Sequence, residues 1–202
     1  MIKNKFAFAL AEVLLTLLII GVIFAICIPM LQAQIQNIAF KANYKKAYSM
    51  VNNALKQAIG DNVIQPRPGG WCENDINNAN FSALKTYFSE IKDCGVANPI
   101  TAGCWASGGD NFNTAPNSSV DSFVDASGVD WAGGEGLCGA IIVDVNGFTQ
   151  PNQFGRDRFA LMMGADTTKT NIDRISPWAD QIAVEANECP RGSCYYSTWL
   201  LE

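Results

Sequence analysis

Between Phe6 and Leu31 the chain runs FAFALAEVLLTLLIIGVIFAICIPML, with one side chain that is normally charged, Glu12. Val13–Leu31 is nineteen residues without a formal charge. As a helix such a stretch rises about 28 Å, close to the thickness of a hydrocarbon core. Lys3 and Lys5 precede the run, and the next basic residues are Lys41, Lys45 and Lys46. All but two of the 14 basic residues and all but one of the 19 acidic residues follow Leu31. A membrane-inserting N-terminus is therefore joined to an acidic, water-soluble region. Three readings of that N-terminus compete: a cleaved signal peptide, a permanent single-span anchor, or something more specialised. The apolar run is longer than a secretory signal needs, although Leu31-Gln32-Ala33 offers a poor cleavage site. A lipoprotein cleavage at Cys27 fails because bulky Ile26 precedes it. Neither simple reading accounts for Glu12, since a carboxylate near the start of a membrane helix is costly and by default marks a function.

The composition narrows the chemistry. Histidine is absent from all 202 residues. That removes Ser-His-Asp and Cys-His dyads, His-ligated zinc and the usual general base near neutral pH. A net charge of −5 argues against nucleic-acid binding, and no specific nucleic-acid site is evident. The chain is read as a non-enzyme.

Lys3-Asn4-Lys5-Phe6-Ala7, followed by Phe8-Ala9-Leu10-Ala11-Glu12-Val13-Leu14-Leu15 and the apolar run, resembles the N-terminal signal of type IV pilins and type II secretion pseudopilins. In that family a prepilin peptidase removes a short basic leader ahead of the apolar run. The residue before the cut is small, the residue after it is usually Phe, and a Glu follows four positions later. Ala7, Phe8 and Glu12 occupy those places, and Pro29 stands where the family's helix kinks. Ala7 in place of the commoner Gly and Ala9 in place of Thr are departures. The match covers roughly residues 3–55. Cutting after Ala7 exposes an ammonium on Phe8. In a core of packed apolar helices an unpaired carboxylate costs several kcal/mol, and such an amine on the next subunit would neutralise Glu12 and set the axial register. The resemblance implies that this is the assembly device, with the Phe8 amine N-methylated. The simpler alternative is that Glu12 snorkels to the interface beside Lys5.

From Gln34 to Ile59 the apolar positions Ile35, Ile38, Ala42, Tyr48, Val51, Leu55 and Ile59 recur at helical intervals. Gly60-Asp61-Asn62 supplies a stop. Pro29 predicts a kink or a melted segment near residues 25–29. Residues 61–139 read as irregular, apart from a short helix over Phe81–Ile91. Ala140–Val145, Phe159–Met163 and Tyr195–Leu201 read as strands of an antiparallel sheet. The expected organisation is a leader over 1–7, a transmembrane and filament-core helix over 8–33, its amphipathic continuation over 34–60, and an exported globular domain over 61–202. The fold class is α+β, a pilin-like roll with a long N-terminal helix packed on a small antiparallel sheet.

Cys27 lies within the span and reads as a small hydrophobe. Cys72, Cys94, Cys104, Cys138, Cys189 and Cys194 are an even six in the globular part, which in an oxidising compartment suggests three disulfides. Cys189–Cys194, around a Pro/Gly turn, and Cys94–Cys104 are the pairs that sequence makes most plausible. Metal binding is the rival, but without His a zinc site needs four thiolates, and no CxxC pair is present.

Asp144-Val145-Asn146-Gly147 leads through Pro151-Asn152 to Asp157 between two predicted strands. The oxygens of Asp144, Asn146, Asn152 and Asp157 form a candidate Ca²⁺ set, which the resemblance makes relevant because several pseudopilins hold calcium in sheet-side loops. The preferred reading is a turn shaped by Asn-Gly and Pro-Asn, with Asp157 paired to Arg156 or Arg158. No other cofactor is called for.

The functional expectation is a structural subunit, pilin or pseudopilin, that polymerises into a type IV pilus-like or secretion filament. The implied partners are its own copies and other pilins, a prepilin peptidase, the membrane and an inner-membrane assembly platform. The subunit would cross the inner membrane once with its globular domain outside the cytoplasm, and then join an extracellular or periplasmic filament. The alternative is a membrane-anchored extracytoplasmic ligand-binding module, favoured if Trp105, Trp131 and Trp178 cluster at the surface.

Overall fold

The computed structural model describes residues 10–64, 79–107, 120–134, 140–163 and 175–177. The apolar run and its polar continuation form one helix, α1 (Leu10–Gly60), of 51 residues. The segment around residues 25–29, expected to kink or melt, is not melted and is helical throughout. Proline at position 29 forfeits a single backbone hydrogen bond, the one to the Ala25 carbonyl, and the flanking turns keep theirs. At the far end Asn62 takes φ 56°, with Asn62 N–H bonded to Ile59 O at 3.0 Å and Val63 N–H to Ala58 O at 2.9 Å. These two bonds are a Schellman stop with Asn in the left-handed position that glycine usually takes.

The chain divides into two compact units, Met1–Ala39 and Phe40–Glu202. In the first, every residue from Leu10 to Ala39 is exposed, and α1 there is long and apolar enough to cross a membrane. In the second, α1 buries Phe40, Tyr44, Ala47, Val51, Ala54, Leu55 and Ala58. This corrects the expected stripe in part: Ile35, Ile38 and Ala42 are exposed, while Val51 and Leu55 are buried and the half-buried Tyr48 and Ile59 pack against the core. The buried face alternates the bulky Phe40, Tyr44, Val51 and Leu55 with Ala47, Ala54 and Ala58, whose small side chains let the sheet approach closely.

Among the described residues that sheet has six strands in sequential order, each antiparallel to the next: β1 (Glu90–Val96), β2 (Val120–Asp125), β3 (Asp130–Gly134), β4 (Ala140–Asp144), β5 (Arg158–Met163) and β6 (Ile175–Pro177). The fold is thus α+β, a long N-terminal helix whose second part lies on a small antiparallel sheet. Phe159 of β5 meets Tyr44 with ring centroids 4.6 Å apart. Tyr48 Oη donates to Ile175 O at 2.8 Å, tying α1 to the last strand. Strands β4 and β5 fall where sequence placed them. The predicted strand Tyr195–Leu201 lies outside the described residues.

The described residues within 61–139 are more ordered than expected, holding α2 (Ala79–Lys85), a short α3 (Pro99–Ala102) and three strands. The helix predicted over Phe81–Ile91 ends at Lys85, where the backbone tightens into turns, Tyr87 N–H donating to Leu84 O and Phe88 N–H to Lys85 O, and Lys85 Nζ donates to Asp93 at 2.6 Å and Asp121 at 2.9 Å. Beyond it Phe88 turns into an aromatic cluster, its centroid 5.2 Å from Phe123 and 4.9 Å from Trp131. The α2 helix lies close on β3: a methyl on Gly133 would sit 2.7 and 2.8 Å from two ring carbons of Phe81. Gly133→Ala is accordingly expected to cost about 1–3 kcal/mol through displacement of that ring. Urea unfolding of the variant checks this, and an unchanged midpoint would contradict the packing.

Candidate functional site

Strand register assembles a row of buried charge on one face of the sheet. Asp130 of β3 stands opposite Asp144 of β4, and Asp144 stands opposite Arg158 of β5. All three are fully buried. Arg158 Nε donates to Asp144 Oδ2 at 2.8 Å, Nη2 donates to Ala106 O, and the guanidinium carbon lies 5.0 Å from the ring centre of Trp105. The segment carrying Trp105 and Ala106 is fixed in two ways. Asn98 caps α3 by accepting from Ile100 N and Thr101 N at 3.0 and 3.1 Å, and a disulfide joins Cys104 to Cys94 of β1. Of the other thiols singled out, Cys72, Cys138, Cys189 and Cys194 lie outside the described residues.

Burial dominates the electrostatics. It pushes the Asp130 carboxyl up to about 8, helped by the like charge of Asp144. It also pushes Asp144 up to about 7 against the pull of Arg158. One residue along, Asp125 closes the β2–β3 turn: Oδ1 accepts from Ser127 N and Oγ at 2.7 Å each and from Val129 N, while Oδ2 accepts from Trp131 Nε1 at 2.8 Å.

The four residues singled out for calcium do not form one ligand set. Both Asp157 oxygens accept backbone amides, from Asn152 and Gln153, at 2.7 Å each. Asn152, at φ 51°, turns its side chain inward; oriented to satisfy its surroundings, its amide nitrogen donates to Gly147 O and Thr149 O at 3.1 Å. These two residues therefore brace the turn. Only Asp144 and Asn146 stay together, with Asn146 N–H 3.3 Å from Asp144 Oδ1. The pairing expected of Asp157 is also corrected in part: Arg158 reaches Asp144, while Arg156 donates to Gln153 Oε1 at 3.3 Å. Burial raises Asp157 above the usual carboxylate range, against the pull of its two backbone donors. Sequence reasoning missed Asp130 and Asp125, which fall in a stretch read as irregular.

At the other end of the chain, Glu12 lies near the start of the described part of α1. Ala7 and Phe8 lie outside the described residues. Trp105 and Trp131 are buried in the core, so they do not form the surface cluster that would favour a ligand-binding module. Trp178 lies outside the described residues. A cleft of ≈ 480 Å³ lies beside α1 and is lined by Asn53, Gln57, Tyr87 and Ser89 among others. Its Tyr87 hydroxyl donates to Asp61, and its Asp125 is consumed by the β2–β3 turn. Compared with protein-family models, curated proteins and solved structures, the chain matches none.

Proposed function

We propose that this chain is a structural subunit, a pilin or pseudopilin, which a prepilin peptidase cuts between Ala7 and Phe8 and which then polymerises through α1. The observation that carries this reading is the first unit itself. From Leu10 to Ala39 the helix is exposed on all sides, and Glu12 is its sole formally charged residue. A helix apolar all round is stable in lipid or among other apolar helices, and a filament core offers the second environment once the membrane is left. Glu12 is the feature that a plain anchor does not need. In the filament it pairs with the freed amine of Phe8 on a neighbouring copy or a sister pilin. The subunit waits in the inner membrane with its globular unit outside the cytoplasm, and an inner-membrane platform draws it into an extracellular or periplasmic filament.

Glu12→Leu tests this. The variant is expected to insert and to be cleaved normally, but to be absent from sheared filaments. Filaments containing Glu12→Leu at the wild-type level would refute the pairing role, and an anchored binding module would then be the better reading.

A further inference from the structure

Phe148 is 56% exposed, and among the described residues it is the only exposed aromatic side chain of the second unit. A single exposed apolar residue is ordinary on a protein surface. The bracing around this one is not. The carbonyls on either side of it, Gly147 O and Thr149 O, both accept from the Asn152 amide at 3.1 Å. The Asn146 amide donates to Thr149 O at 2.9 Å and to Gln150 O at 3.3 Å. Asp157 in turn accepts from Asn152 N and Gln153 N at 2.7 Å each, and both Asn152 and Asp157 are buried. A ring presented on a turn fixed in this way loses little freedom when it docks, which is how aromatic anchors gain affinity.

The same unit carries a receptor for such a ring. The cleft of ≈ 480 Å³ beside α1 takes apolar lining from Met50, Ala54, Tyr87, Phe88 and Ala126. Phe148 does not line it, so within one copy the ring and the cleft do not meet. Charge selects the occupant. Copies of a chain with net charge −5 repel one another in general. The turn over residues 146–153 holds no charged side chain, and the carboxylate lining the cleft, Asp125, already accepts from Ser127, Val129 and Trp131. At these two surfaces copies can approach without that repulsion.

We infer that the Phe148 ring of one copy docks in the cleft beside α1 of another. Ring and cleft are different surfaces, so each copy can give one ring and receive one, and a heterologous contact of this kind propagates along a row of copies unless it closes. Asn146, Asn152 and Asp157 are then positioning residues for the ring. The inference rests on the filament reading and adds to the packing of α1 a contact between globular units.

The test places the photoreactive residue p-benzoylphenylalanine at Phe148 in the full-length chain, coexpressed with a prepilin peptidase and reconstituted at high density in phosphatidylcholine vesicles. Half of the chains carry heavy nitrogen, so that links within and between copies differ in mass. Irradiation is expected to give a species of twice the mass of the chain, linked between copies through peptides that hold residues 50–57 or 87–89. Ala126→Trp, at an exposed position lining the cleft, should lower the yield roughly tenfold or more, the scale of a lost aromatic anchor, and leave the urea midpoint unchanged. Links within one copy only, links between copies that map elsewhere, or no link at all would overturn the contact, as would a full yield in Ala126→Trp. Should Ala126→Trp fail to fold, the mapping decides alone. N-terminal sequencing of the same sample keeps the two readings apart. A chain that begins at Phe8 and gives no link rejects the contact alone, whereas a link in a chain that still begins at Met1 keeps the contact and rejects the filament reading.

Discussion

Arg158→Met is expected to destabilise the second unit by about 3–5 kcal/mol. The guanidinium is fully buried and is the hydrogen-bonded counter-charge of Asp144, whose own exposure is 0%. Removing it strands a carboxylate in the core beside Asp130, which already has no donor. It also frees the Ala106 carbonyl and empties the space over the Trp105 ring. The pairing makes a second outcome definite. In Arg158→Met combined with Asp144→Leu, neither charge is left unpaired, and most of the lost stability should return, because an apolar pair of similar volume replaces a buried ion pair at little net cost. Urea unfolding of the single and double variants measures both. Equal destabilisation in the two would mean that the loss is one of packing and not of charge.

Stability is expected to fall as pH rises from about 5 to 9, opposite to ordinary acid denaturation. The sign follows from Asp130. Its carboxyl has an ordinary value of 3.8 when unfolded and is pushed up to about 8 by burial and then by Asp144. The folded state therefore holds this proton more tightly than the unfolded chain. The corresponding stability is complete below the unfolded value and is lost as pH climbs through the folded one. At its steepest one such group contributes about 1.4 kcal/mol per pH unit. Asp144, raised to about 7 by burial, adds to the same slope in spite of Arg158. Asp130→Asn keeps the shape without a proton to lose, so it should be the more stable protein at pH about 8 and should show a much flatter profile. A wild-type stability that rises across this range, or an Asp130→Asn profile as steep as wild type, would contradict the account.

These charges were hard to read from sequence for an identifiable reason. In β2, Val-Asp-Ser-Phe-Val-Asp has all six residues buried, so the alternation that marks a half-buried strand is missing and its aspartates look like loop. Their partners come from elsewhere: Ser82 and Lys85 of α2 for Asp121, and Trp131 for Asp125. Asp130 is likewise an unremarkable residue beside a glycine turn until β3 pairs with β4. Register, which no spacing along the chain reveals, then sets it against Asp144. Where one local signal sufficed, the reading was good. Ala140–Asp144 and Arg158–Met163 are short apolar runs between turn residues, and both are strands. Gly60-Asp61-Asn62 marked the end of α1, although the left-handed position fell to Asn62. The Cys94–Cys104 pair also formed as its spacing suggested. The helix face was misjudged because α1 packs partly through Ala47, Ala54 and Ala58, which carry little apolar signal, while Ile35 and Ile38, in the first unit, are exposed.

The filament reading depends most directly on what becomes of the first residues. Intact-mass measurement and N-terminal sequencing of the membrane-extracted protein, coexpressed with a prepilin peptidase, address it in one step. The account predicts a mature chain that begins at Phe8 and is heavier by one methyl group. A chain that still begins at Met1, or one that begins at Gln34 after ordinary signal cleavage, would contradict it.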